Sequence, residues 1–289
     1  MRKCGIIKEK PSERVKELNF KNIIDLHTHT DNSFDGHHST MYLAETAYMK
    51  GLRAVAFTDH LEMDAFFENS FDRTAIQSFF EIAKARSAFS GKLIVCVGAE
   101  IGQAIYNKPV SEKLINMMKY DFVIGSIHNL PGVQDFSRFD YSDESLDYMK
   151  MLEEYFGKVL ELCQWGMFDS LGHLTYPVRY ICGKYGKKLD MTVFSEVIDE
   201  ILVTLIKNNK ALEINTSGCR QKLNATMPDE SIVKRYKELG GKLITVGSDA
   251  HYAEHLGADI DKAYEIALRC GFTEVAVYQD RTPTLIPIE

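Results

Sequence analysis

The stretch Ile23-Ile24-Asp25-Leu26-His27-Thr28-His29 is a short apolar run that leads into a His-x-His pair. Read as a strand, it places residues two apart on the same side, so His27 and His29 face one point in space. Imidazole is the commonest protein metal ligand, and two on one face make half of a site. Alone, such a pair is equally well a surface strand carrying two solvated histidines. Recurrence of the pattern decides between the two readings.

It recurs along the whole chain. Apolar runs at Ile23–Leu26, Ala54–Phe57, Leu93–Val97, Phe122–Gly125, Asp169–Gly172, Ala211–Ile214 and Leu243–Val246 each end in a polar cluster and are each followed by a helical stretch. Near-continuous apolar runs suit parallel strands buried on both faces, and their alternation with helices predicts a parallel α/β architecture. Ser39 or Thr40 is placed to cap a helix through Lys50, with Gly51 past its end. Pro228 reads as a first-turn proline with Asp229 and Glu230 behind it, in a helix that ends at Gly240-Gly241. Ser142–Gln164 and Met191–Asn208 have the spacing of amphipathic helices packed outside a barrel. No repeat, low-complexity tract or composition shift marks a linker. The expected organisation is a charged leader over residues 1–20 and one domain over residues 21–289.

The ends of the apolar runs carry the chemistry. In order they are His27 and His29, Thr58-Asp59-His60, Gly98-Ala99-Glu100, Ser126-Ile127-His128, Gly172-His173-Leu174, Asn215-Thr216-Ser217-Gly218 and Gly247-Ser248-Asp249-Ala250-His251. Six of the nine histidines stand there, which a random scatter over helices and loops does not produce. In closed parallel barrels the C-terminal strand ends converge on one mouth. His27, His29, His60, Glu100, His128, His173, Asp249 and His251 are thus delivered to one place. Asp35, in the loop Thr30–Gly36, is the candidate ninth ligand; His37, His38 and His255 read as solvated or structural. So many ligands exceed what one catalytic zinc takes, and two or three divalent ions sharing a carboxylate fit the number better. A mixed imidazole and carboxylate set without thiolates suits zinc, manganese or iron. Asp25 and Asp59 are expected to orient imidazoles through the second ring nitrogen. Arg179 and Arg220 follow the fifth and sixth runs, and guanidinium forks match phosphate oxygens, which favours phosphoryl chemistry over amide hydrolysis.

Bulk properties exclude several classes. The 289 residues, 45% hydrophobic and 26% charged, suffice for a large core. A net charge of −7 argues against a nucleic-acid binder, yet allows a small phosphorylated substrate held by a metal site. No apolar run approaches the roughly 20 residues that span a bilayer, so no membrane association is expected. The N-terminus lacks a signal-peptide core. The six cysteines show no C-x-x-C spacing, so idle thiols in a reducing cytoplasm are expected. Nothing in the sequence sets an oligomeric state.

The segments Asp25-Leu26-His27-Thr28-His29, Phe57-Thr58-Asp59-His60, Gly98-Ala99-Glu100, Gly125-Ser126-Ile127-His128, Leu171-Gly172-His173-Leu174 and Gly247-Ser248-Asp249-Ala250-His251 resemble, in order, the metal-binding motifs of the PHP (polymerase and histidinol phosphatase) family of metal-dependent phosphoesterases. The resemblance runs from about Ile23 to the C-terminus and implies a distorted (β/α)7 barrel. Within the family, Gly172–Tyr180, Leu212–Arg220 and Phe122–Tyr141 resemble the histidinol-phosphate phosphatases. This implies a trinuclear site. His27, His29, Glu100 and Asp249 would hold the buried ion; Glu100, His128 and His173 its neighbour; Asp35, His60 and His251 the third. It also implies phosphate binding by Arg179 and Arg220, which with His60 and Glu100 make up the expected catalytic residues. The implied reaction is hydrolysis of L-histidinol phosphate to L-histidinol and phosphate in histidine biosynthesis. The alternatives are a phosphatase or phosphodiesterase of the same family acting on nucleotides or another small phosphoester, and a non-catalytic metal-binding module. Degenerate modules lose ligands, whereas this chain keeps a candidate at each position.

Overall fold

The computed structural model describes residues 20–289, so the expected leader lies, Phe20 apart, outside the described residues. In chain order the elements are β1 (Ile24–Thr28), α1 (Thr40–Met49), β2 (Ala54–Phe57), β3 (His60–Glu62), α2 (Phe71–Ala88), β4 (Ile94–Gly102), α3 (Lys108–Met118), β5 (Phe122–Ser126), α4 (Tyr148–Trp165), β6 (Ser170–Leu171), α5 (Ser195–Lys207), β7 (Ala211–Asn215), α6 (Glu230–Glu238), β8 (Ile244–Gly247), α7 (Ile260–Arg269), β9 (Glu274–Gln279) and β10 (Thr282–Pro287).

All seven apolar runs are strands, and they pair in the parallel order β1-β2-β4-β5-β6-β7-β8. Their side chains are buried on both faces, as continuous apolar runs require. The barrel closes just past β8: Asp249 donates its backbone N–H to the His27 carbonyl (2.8 Å), and His29 donates to the Ala250 carbonyl (2.9 Å). The seam between first and last strands is thus made at candidate metal ligands. Among the described residues no helix is long and apolar enough to cross a membrane.

The helix expectations need three corrections. Pro228 lies outside α6, because Asp229 is the N-cap and accepts from Ser231 N (2.9 Å) and Ile232 N (3.3 Å). The helix expected from Ser142 begins only at Tyr148. Asp140 and Asp143 each bind a backbone N–H two residues on, which favours turns over helix, and Asp147 supplies the cap. Met191–Asn208 opens with a 3-10 turn, Met191–Phe194, before α5. Two features were absent from the sequence reading. β3 pairs with β4 in the register His60↔Glu100 and Glu62↔Gly102. The antiparallel hairpin β9–β10 packs beneath the barrel, where Arg281 pairs with Asp169 and donates to the Met167 carbonyl (2.9 Å).

Candidate active site

The strand ends converge as barrel geometry dictates: of the nine expected ligands, Asp35, His60, His128, His173, Asp249 and His251 line a cavity of about 1180 Å³, and the fully buried His27, His29 and Glu100 lie against them. That volume is ample for a small phosphoester together with ions. Three donor groups can be distinguished. In the deepest, His27 Nε2 and His29 Nε2 lie 3.2 and 3.6 Å from Glu100 Oε2, and 3.9 and 3.4 Å from Asp249 Oδ1. In the second, Glu100 Oε1 lies 3.2 Å from His128 Nε2 and 2.9 Å from His173 Nε2. In the third, Asp35 lies 3.2 Å from His251 Nε2 and 3.7 Å from His60 Nε2. Glu100 turns Oε2 to the first group and Oε1 to the second, the disposition of a bridging carboxylate, and its Oε2 also lies 3.0 Å from His60 Nδ1 of the third.

These residues fit divalent cations. His27 Nε2, His29 Nε2, Glu100 Oε2 and Asp35 Oδ1 are buried without a hydrogen-bond partner. Native proteins rarely leave such groups unmatched unless an ion or water completes them. Burial opposes ionisation of Glu100, yet His27, His128 and His60 around it hold its carboxyl well below the usual range. Asp249 is likewise held low against burial by His27 and His29. Burial, reinforced by His60 and His251, lowers His29 to about 3, so its ring is neutral and free to ligate.

The second ring nitrogens show which residues orient the ligands, and here the expectation for Asp25 is corrected. Asp25 touches no ring nitrogen; it accepts from the backbone of Ser248 (2.8 Å) and Gly257 (2.7 Å) and fastens β1 to the β8 end. Asp59 acts through an intermediary. Ser33 Oγ donates to Asp59 (3.0 Å) and stands 3.2 Å from His29 Nδ1. Besides Glu100, whose Oε2 lies 3.0 Å from His60 Nδ1, two carboxylates that sequence reasoning missed are in direct contact with Nδ1 atoms. Glu213 Oε1 lies 2.7 Å from His27 Nδ1, and Glu62 Oε1 lies 3.0 Å from His128 Nδ1. Each had a signal: Glu213 is a lone acid inside the apolar strand Ala211–Asn215, and Glu62 sits two residues after His60, on the same face of β3. Glu62 is held down to about 2, against burial, by His128 and His60. His251 Nδ1 lies 3.0 Å from the Asp249 carbonyl.

The two arginines reach the mouth. Arg179 opens a π-helical turn, packs over the rings of Tyr176 (4.7 Å) and Tyr180 (4.9 Å), and donates through Nη1 to Ser217 Oγ (3.1 Å). Its Nε is buried and unpartnered. Arg220 Nη2 donates to the Asp249 carbonyl (2.9 Å), and its Nη1 is unpartnered. Both arginines line the cavity that also holds His128 and His251, and each keeps a buried N–H without a partner. His37, His38 and His255 remain outside all three donor groups; His37 stacks on Tyr252 instead.

The PHP domain family model matches residues 25–217. A histidinol-phosphatase from Lactococcus lactis is 30% identical over 88% of this chain and 94% of its own length. A "probable histidinol-phosphatase" from Thermotoga maritima is 29% identical over 88% of this chain and 95% of its own. The crystal structure of histidinol phosphate phosphatase from Lactococcus lactis, complexed with zinc, L-histidinol and phosphate, superposes with a TM-score of 0.78 at 26% identity, covering 91% of this chain and 99% of that one. A structure from Listeria monocytogenes, 19% identical with a TM-score of 0.68 over 83% of this chain, shares the fold.

Proposed function

We propose that this chain, which belongs to the PHP domain family, is a histidinol-phosphatase that hydrolyses L-histidinol phosphate to L-histidinol and phosphate. One observation carries the reading. Donor groups joined by both oxygens of Glu100 share one cavity with the guanidinium groups of Arg179 and Arg220, the first of which lies 3.5 Å from Asp249 Oδ2. Amide or carbon-centred hydrolysis has no use for that pair of arginines.

His27, His29, Glu100 and Asp249 would hold the deepest ion, Glu100, His128 and His173 a second, and Asp35, His60 and His251 a third. Zinc, present in the Lactococcus lactis structure, suits these donors, as do manganese and iron. Bound there, divalent ions supply water of lowered pKa and neutralise phosphoryl oxygens. The protein's own groups do the rest. Arg179 and Arg220 direct N–H groups at the equatorial phosphoryl oxygens, where charge develops in the transition state. Tyr176 and Tyr180 flank the Arg179 guanidinium and fix its plane. Glu213 and Glu62 accept hydrogen bonds from the Nδ1–H groups of His27 and His128, which leaves Nε2 free to ligate. Burial of the donor set keeps bulk water away from these charges.

Phosphate release from L-histidinol phosphate and from a panel of nucleoside monophosphates, with and without prior chelation, tests this. Metal-dependent preference for L-histidinol phosphate is the expected result. Preference for a nucleotide would overturn the substrate and leave the phosphoesterase standing.

A further inference from the structure

The cavity that Arg179 and Arg220 line is also lined by Glu62, Asp64, Gln103 and Asn129. The register of β3 on β4 places Glu62 over Gly102, so close that a Cβ there would lie 2.1 Å from Glu62 Oε2. The next residue, Gln103, has left-handed backbone (φ +51) without being glycine, and its side chain is 2% exposed. Its amide orientation is fixed by a chain of bonds. Asn129 Nδ2 faces Asp64 Oδ2 (2.9 Å) and the carbonyls of Leu130 and Val133 (both 3.1 Å). All three only accept, so the Asn129 nitrogen must point there and its oxygen towards Gln103. Gln103 Nε2 donates to that oxygen, which leaves Gln103 Oε1 buried with no partner. A buried acceptor left unmade costs about 1–3 kcal/mol. Glu62 Oε2 is a second such atom, and the Asp64 carboxylate borders both on the same cavity.

Resting on the phosphatase reading, we propose that Gln103, Asp64 and Glu62 form the subsite for the alcohol half of the substrate, and that its ligand is a protonated amine carried close to the ester oxygen. A hydrogen-bond donor completes Gln103 Oε1, and the neighbouring Glu62 and Asp64 carboxylates favour a cationic one. The mouth is then bipolar, with Arg179 and Arg220 for the phosphoryl group and these acceptors for the amine. Glu62 Oε1 contacts His128 Nδ1, and His128 Nε2 faces Glu100 Oε1, so the subsite adjoins the second donor group. L-Histidinol phosphate, whose ammonium sits on the carbon beside the ester methylene, meets that requirement. An alcohol bearing a second phosphate does not, because it would face the carboxylates.

The test compares kcat/KM of the metal-loaded enzyme for phosphoethanolamine and for ethyl phosphate, which differ in the amine, and for L-histidinol phosphate. The wild-type enzyme is expected to prefer the amine ester by on the order of tenfold or more. In Asp64→Asn and Gln103→Met this ratio falls toward one, through KM more than kcat, with metal content retained. Asp64 is exposed, so its variant reads the subsite even where Gln103→Met fails to fold. A ratio unaltered in Asp64→Asn, or both esters falling in proportion, would overturn the subsite and assign these acceptors to a structural water. An amine preference lost in the variants without turnover of L-histidinol phosphate would support the subsite while refuting the substrate.

Discussion

Replacing Glu213 by glutamine removes one charge and almost no volume, yet it should cost the deepest ion much of its affinity. Glu213 is 1% exposed and is surrounded by donors: His27 Nδ1 at 2.7 Å, the His173 backbone N–H at 2.6 Å and Asn215 Nδ2 at 3.2 Å. Both carboxylate oxygens are used as acceptors. Glutamine offers one acceptor and one donor. If its oxygen stays with His173, its NH2 faces His27 Nδ1 and forces the proton to Nε2, the atom required for ligation. If its oxygen faces His27, the NH2 opposes the His173 N–H. Either arrangement loses a charge-assisted bond worth about 1.5–3 kcal/mol. Removing a ligand's outer partner typically costs about 10–100-fold in metal affinity, roughly 1.4–2.8 kcal/mol. The two ranges agree. Competition with a chromophoric chelator measures the affinity directly, and the 15N shifts of the His27 ring in the metal-loaded protein report its tautomer. If Glu213 served only packing, the isosteric Gln variant would be milder than Glu213→Ala; the acceptor role makes Gln at least as damaging. Wild-type metal affinity in Glu213→Gln would refute the reasoning.

Glu100→Gln should lose metal and nearly all turnover, as read by elemental analysis and an activity assay on one preparation, because both oxygens serve donor groups. Arg220→Lys should retain its metals but weaken inhibition by phosphate by on the order of tenfold, since lysine cannot keep the Asp249 carbonyl and still present a second N–H in the same plane. Gly247→Ala would put a Cβ 2.3 Å from His27 Cβ and 2.5 Å from Glu213 Oε1, an overpacking expected to cost about 1–3 kcal/mol and visible as a lowered Tm. A Gly247→Ala protein with wild-type Tm and metal affinity would mean that β8 yields locally.

The barrel and the candidate ligands at its strand ends were legible because parallel strands buried on both faces leave continuous apolar runs, and because barrel chemistry gathers where those runs stop. Asp249 and His251 were found in this way although more than 220 residues separate them from Asp25, the bond to whose neighbour Ser248 helps close the barrel. Local patterns hid other features. β3 is three residues long and follows β2 across only Thr58 and Asp59, too short for any periodicity. The β9–β10 hairpin turns on Asp280 and Arg281, both left-handed, without the Asn-Gly or Asp-Gly pair that usually marks such a turn. Asp25 was assigned to an imidazole because it shares a run with His27, whereas the partner of that imidazole, Glu213, lies 186 residues away. Partners of this kind are fixed by strand order, which no local window reveals. The Gln103–Asn129 pair escaped for the same reason: its meaning lies in the one oxygen that it leaves unpaired.

The account rests on this mouth being a metal-dependent site for one phosphoester. Steady-state kinetics on L-histidinol phosphate and on p-nitrophenyl phosphate, with metal content determined in the same preparation, test that most directly. The expected result is two or three ions per chain and a kcat/KM for L-histidinol phosphate higher by on the order of 100-fold, about 2.7 kcal/mol of additional transition-state binding. A metal-replete protein that hydrolyses the two esters equally well, or neither, would contradict it.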